Sequence, residues 1–224
     1  MIKGIIFDLD GTLLESMHIW NSVASEYLKG LGITPDGDTD EIMKEASIQD
    51  AAAYFCKRYG IEKTAEEIAD EVNAELEYAY YHTVQAKSGV MAMLQALKKR
   101  GFRMAAATAT DRYLIEPCIK RLGIAPYLEA VFTCAEVGVG KTEPLIYRKA
   151  EEALGLMHNE IAVFEDALYA ANTAKRDGYY LVGIYDDSMD TRQDELIALA
   201  DLYVPSYDAV DVVSHLIGKS SDTL

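Results

Sequence analysis

Five short apolar runs constrain how this chain folds: Ile2–Phe7, Arg103–Thr108, Ala130–Phe132, Ile161–Phe164 and Tyr180–Ile184. Each is continuous rather than alternating, as a strand covered on both faces requires. Between them lie the helical patterns Val90–Arg100, Leu114–Leu122, Ile146–Leu154 and Leu168–Asp177. Each pattern stops just before a glycine: Gly101, Gly123, Gly155 and Gly178. Glycine accepts the left-handed conformation at a helix C-terminus cheaply, so the punctuation is consistent. Strands alternating with helices through short connections predict an α/β fold with a doubly wound, Rossmann-like parallel sheet.

The segment from Glu15 to Lys87 breaks this rhythm. It shows no strand pattern and reads as amphipathic helices over Ile19–Leu31, Ile48–Tyr59 and Ala65–Thr83. A helical block placed directly after the first strand predicts an inserted domain. Residues 15–87 are therefore expected to form a helical cap, and residues 1–14 with 88–224 the α/β core.

The chain carries a formal net charge of -16. Gripping a nucleic-acid backbone needs a basic surface, so no nucleic-acid polymer is expected as a partner. A small anionic ligand stays open, because a metal ion and one cation reverse the field locally. The opening MIKGIIFDLDG has its apolar run interrupted by Asp8 and Asp10, which does not match a signal peptide. No stretch approaches the roughly 20 apolar residues of a membrane span. Cys56, Cys118 and Cys134 are widely spaced, without a CxxC or Cys/His metal pattern, and read as reduced thiols. The expectation is a cytoplasmic protein with no membrane partner, a monomer by default.

Four features sit where expected strands end, the edge at which open α/β sheets bind ligands. The first is Asp8-Leu9-Asp10-Gly11-Thr12. The second is Thr108, followed by Ala109 and Thr110; a hydroxyl and the backbone N–H groups of the next turn suit a phosphate oxygen, or simply cap a helix. The third is Lys141, in Gly138-Val139-Gly140-Lys141, which lacks the spacing of a P-loop. The fourth is Glu165-Asp166; paired carboxylates suit a hard cation such as magnesium, or the positive end of a helix.

Taken together, their order and placement resemble the haloacid dehalogenase superfamily in its phosphatase and β-phosphoglucomutase-like branch. Lys141-Thr142-Glu143-Pro144-Leu145-Ile146-Tyr147 is similar to that branch's K-P-x-P-[DE]-I-[FY] stretch. The resemblance implies a nucleophile at Asp8 and an acid/base at Asp10. It implies magnesium held by Asp8, the Asp10 backbone carbonyl and Asp166, with Glu165 as ligand or support. Thr108, Ala109 and Lys141 would bind the transferring phosphoryl group of a small phosphorylated metabolite. An acid at position 10 argues against a dehalogenase, whose halide leaving group needs no proton.

Hydrolysis is expected over mutase chemistry. The stretch matching the mutases' K-G-x-S-R run is Lys44-Glu45-Ala46-Ser47-Ile48, with isoleucine where a phosphate-clamping arginine would stand. Trp20 stands where mutases carry a hinge histidine. Trp20, Lys44 and Ser47 are the candidates for substrate specificity, with plain packing in the cap or hinge as the alternative for Trp20 and a solvated helix face for Lys44. A non-catalytic binding protein on the same fold is a further alternative.

Overall fold

The computed structural model describes residues 1–37, 39–40 and 48–218, the side chains of residues 189–191 excepted. Lys44 and Ser47 lie outside the described residues. The chain divides into two compact units, Met1–Glu15 with Gln85–Leu224, and Ser16–Val84.

The first unit is built on a six-stranded parallel sheet. Its strands are β1 (Gly4–Phe7), β4 (Arg103–Thr108), β5 (Ala130–Thr133), β6 (Ile161–Glu165), β7 (Tyr180–Ile184) and β8 (Leu202–Val204), in the order β5-β4-β1-β6-β7-β8. β1 runs between β4 and β6, pairing Phe7 with Ala106 on one side and Phe164 on the other. Its residues are fully buried, which explains the uninterrupted apolar run. Two further strands, β2 (Leu14–Glu15) and β3 (Gln85–Ala86), form an antiparallel pair where the chain leaves and re-enters this unit.

Helices α5 (Val90–Lys99), α6 (Arg112–Arg121), α7 (Cys134–Val137), α8 (Leu145–Leu154), α9 (Leu168–Asp177), α10 (Gln193–Leu199) and α11 (Val212–Gly218) complete the unit. On one face of the sheet Ile6, Ala105, Ala107, Ile161, Val163 and Leu181 pack against Ile146, Tyr147 and Ala150 of α8, Leu168 and Ala171 of α9, and Leu196 of α10. Removing a side chain the size of Ile or Leu from water contributes about 1.5–3 kcal/mol. The four glycines expected to end helices all have positive φ. β8 escapes the sequence pattern because it is only three residues long and sits between Asp201 and Pro205.

The second unit is helical, with α1 (Met17–Trp20), α2 (Val23–Gly30), α3 (Ile48–Tyr59) and α4 (Ala65–Tyr78). One helix was expected over Ile19–Leu31, but the chain turns at Asn21–Ser22, where the Ser22 hydroxyl donates to the His18 carbonyl at 2.8 Å. Such local bonds compete with helix continuation. α4 begins with a capping box, in which Thr64 Oγ1 accepts from the Glu67 N–H and Glu67 Oε2 from the Thr64 N–H, at 3.1 and 2.8 Å. It widens into a π turn over Ala79–Thr83, where the Val84 N–H and the Thr83 hydroxyl share the Ala79 carbonyl. Ile68, Ala69, Val72 and Leu76 of α4 and Ala51, Ala52 and Phe55 of α3 supply its buried face.

Candidate active site

The strand ends converge as parallel pairing demands. The Asp8 N–H donates to the Phe164 carbonyl at 2.9 Å, so the end of β1 is tied to the end of β6. Phe7 and Phe164 meet edge to face beneath it, with ring centroids 4.7 Å apart. Beyond Asp8 the chain turns tightly through Gly11, whose φ of 76° falls where a side chain would be strained. The N–H groups of Leu13 and Leu14 both donate to the Leu9 carbonyl.

Asp8, Glu165 and Asp166 each place a carboxylate oxygen within 4.8 Å of the others. All three are buried, as is Lys141. The Lys141 ammonium donates to Asp8 Oδ1 and, at 2.6 Å, to Glu165 Oε1. Tyr147 donates to the same Glu165 oxygen at 2.7 Å, and the Thr12 hydroxyl donates to Asp166 Oδ1 at 2.9 Å. Among the described residues, Glu165 Oε2 is buried without a hydrogen-bond partner.

Burial pushes the Glu165 carboxyl up to about 8; Asp8 adds to the rise, and Lys141 and Tyr147 oppose it. Asp166 is driven well above the usual carboxylate range by burial, then by Asp8, Glu165 and Asp186. The Lys141 ammonium is held in its charged form by Asp8 and Glu165 against the opposing effect of burial. Three carboxylates against one ammonium leave two negative charges uncompensated when all are ionised. An all-oxygen donor set with that deficit and an orphaned oxygen fits a hard divalent cation.

The Asp10 side chain is not part of this trio. Its Oδ2 accepts from the Thr110 hydroxyl at 2.7 Å and from the Thr108 hydroxyl at 3.4 Å. Thr108 Oγ1 in turn accepts from the Thr110 N–H at 3.1 Å, while Ala109 is exposed beside them. Two carboxylates of one short motif therefore enter different environments, one beside a lysine and one among hydroxyls. The Lys141 loop, where Thr142 replaces the proline of the similar stretch, is anchored from α9: Thr173 and Arg176 both donate to the Thr142 carbonyl at 3.3 Å.

Thr110 and Tyr147 were not expected to contribute. Thr110 reads equally well as a cap for α6, and Tyr147 as one more apolar residue of α8. Trp20 belongs to the helical unit, where its indole N–H donates to the Tyr80 hydroxyl at 2.8 Å. A cavity of about 480 Å³, lined in part by Lys3, Arg100 and Phe102, lies at the opposite, amino-terminal end of the strands, with no acidic residue among the described residues that line it.

The carboxyl edge of the parallel sheet thus gathers an acidic trio and a buried lysine. The sequence model of haloacid dehalogenase-like hydrolases matches residues 2–178, and the chain belongs to that family. It is 28% identical over 207 residues to validoxylamine A 7'-phosphate phosphatase of Streptomyces hygroscopicus subsp. limoneus, covering 90% of this chain and 92% of that protein. It is 26% identical over 210 residues to hexitol phosphatase A of Escherichia coli, covering 94% of each. A solved structure from Thermotoga maritima, provisionally described as a beta-phosphoglucomutase, shares the fold with a TM-score of 0.82 at 20% identity, over 96% of this chain and 99% of that one. Among the described residues, no helix is long and apolar enough to cross a membrane.

Proposed function

We propose that this protein is a magnesium-dependent phosphatase that hydrolyses a small phosphate monoester through a phospho-aspartate at Asp8. The observation that carries the reading is the division of labour within one motif: Asp8 lies beside Lys141, Glu165 and Asp166, while Asp10 is held apart by Thr110.

In the first half-reaction an Asp8 oxygen bonds to phosphorus and the bond to the leaving oxygen breaks. Asp10, protonated, gives that oxygen its proton. In the second, Asp10 as carboxylate takes a proton from water, the water oxygen bonds to phosphorus, and the bond to Asp8 breaks. Inorganic phosphate leaves, and both residues return to their starting forms. Thr110 keeps the Asp10 carboxyl directed in both halves. Lys141 leaves its bond with Asp8 to hold a phosphoryl oxygen, with Thr108 and the Ala109 N–H as further donors.

Asp8, Asp166, the Asp10 carbonyl and, directly or through water, Glu165 would hold magnesium. The ion supplies the charge that offsets repulsion between the carboxylate and a phosphate dianion, about 4 kcal/mol per unit pair at 4 Å and ε near 20. The Ser16–Val84 unit serves as the cap, with Trp20 among its candidate specificity residues. A sugar-phosphate mutase is the second reading, disfavoured by Ile48 where a phosphate-clamping arginine is expected.

The test is phosphate release from a panel of phosphomonoesters, with and without magnesium. Hexitol phosphates come first in the panel, given the name of one relative. Release that requires magnesium and is lost in Asp8→Asn is expected, with Asp10→Asn slower by roughly 10²–10⁴. No release from any ester by the intact protein would sink the reading, as would release unaffected by Asp8→Asn.

A further inference from the structure

One buried polar contact reaches the motif loop from the far end of the chain. Tyr207, which follows β8, donates its hydroxyl to the Thr12 carbonyl at 3.1 Å, across 195 residues of sequence. Thr12 is fully buried, and the same residue's hydroxyl donates to Asp166 Oδ1 at 2.9 Å. Thr12 is thus gripped from behind at its carbonyl while its side chain steers a carboxylate of the trio. Asp166 and Asp8 lie close enough to add to burial in raising the Tyr207 phenol well above its ordinary range.

The close fit around Tyr207 shows that its position is built in. Gly89, at the start of α5, has φ of 81°, and a Cβ there would come within 2.8 Å of the Tyr207 Cβ and of Asp208 Oδ1. A residue without a side chain is what lets the chain entering α5 press against the Tyr207 backbone. Nearby, the Lys87 N–H donates to the Leu13 carbonyl at 2.9 Å, so successive carbonyls of the motif loop, at Thr12 and Leu13, are each held by a donor distant in sequence.

We propose that Tyr207 is a positioning residue for the metal-binding carboxylates, acting through Thr12 on Asp166. Without the phenol hydroxyl, the Thr12 carbonyl loses this buried donor, and its peptide is left anchored by the Leu13 N–H on the Leu9 carbonyl. A peptide held from one side shifts toward another donor and carries the Thr12 hydroxyl away from Asp166 Oδ1. The inference rests on the metal-dependent reading above, but its main test needs no turnover.

The experiment is calorimetric titration of manganese into the intact protein, Tyr207→Phe, Thr12→Val and the double variant, with circular dichroism melting to select conditions where each is folded. Tyr207→Phe is expected to weaken manganese binding about three- to tenfold. Thr12→Val is expected to do the same, and the double variant no more than Thr12→Val alone, because both act through one hydroxyl. Where turnover is measurable, kcat of Tyr207→Phe falls about tenfold with KM within twofold. Unchanged manganese affinity in folded Tyr207→Phe overturns the proposal, and so do additive effects in the double variant. Should Tyr207→Phe not fold, Thr12→Val decides alone: unchanged manganese affinity there removes the relay. A wild-type protein that binds manganese but releases no phosphate would sink the phosphatase reading and leave the role of Tyr207 standing on the titration.

Discussion

Lys141→Met tests the electrostatics of the trio most directly, because it deletes the one ammonium bonded to both Asp8 and Glu165. At the 2.6 Å separation of Lys141 and Glu165, an effective ε near 20 gives about 6 kcal/mol of attraction. Much of that is offset by desolvation, and breaking a buried pair from one side typically costs about 3–5 kcal/mol. For a chain of this size that corresponds to roughly 6–20 °C in Tm. The pH dependence has a defined sign. Lys141 is raised above its ordinary 10.5, so its contribution is fully present below that pH and is lost only above it. Glu165, at about 8, lies above its ordinary 4.5, so it stabilises most below pH 4.5 and loses that contribution as pH rises through 8. In the variant, Glu165 keeps its proton to still higher pH, which relieves the uncompensated charge in acid but not in base. Scanning calorimetry in EDTA at pH 6 and pH 9 should therefore show the larger loss at pH 9. Saturating magnesium should restore part of it. Equal melting temperatures for the two proteins at pH 9, or a greater loss at pH 6, would refute the reasoning.

Two further predictions concern residues outside the trio. Thr110→Val removes the 2.7 Å bond to Asp10, a term of about 1 kcal/mol. Turnover should fall about five- to tenfold, while Thr110→Ser keeps it; equal rates in steady-state assays would deny Thr110 a part in directing Asp10. Burial pushes the Cys118 thiol up to about 11, Arg121 opposing and Asp10 adding. In the folded protein at pH 8.5 it should be alkylated last of the three thiols, as mapped by mass spectrometry, and at the rate of an ordinary thiol once urea unfolds the chain.

Much of the fold was legible because its signals are local. The runs at β4 and β7 match the observed strands end for end, and the patterns over Leu168–Asp177 and Ile48–Tyr59 match their helices. Where local signals are short or contested, the sequence was silent or misleading. β2 and β3 have two residues each and owe their existence to each other, while the break at Asn21–Ser22 depends on side chains competing for backbone groups.

The sequence by itself determined the alternation that builds a doubly wound sheet and the chemical types at its carboxyl edge: Asp8, Asp10, Thr108, Glu165 and Asp166 at or just past strand ends, and Lys141, which the structure places on a loop after α7 rather than at the end of β5. Each of those residue types has an ordinary alternative by itself, and it is their order along the chain, which resembles that of the haloacid dehalogenase superfamily, that singles them out. Only the tertiary structure decided their partners. It put Lys141 on Asp8 and Glu165, gave Asp10 to Thr110, and brought the Tyr147 and Tyr207 hydroxyls to Glu165 and Thr12. The physical reason is that a tyrosine's apolar ring buries as well in any core. The single acceptor its hydroxyl finds is set by packing between segments as far apart as 195 residues, and no local pattern encodes it.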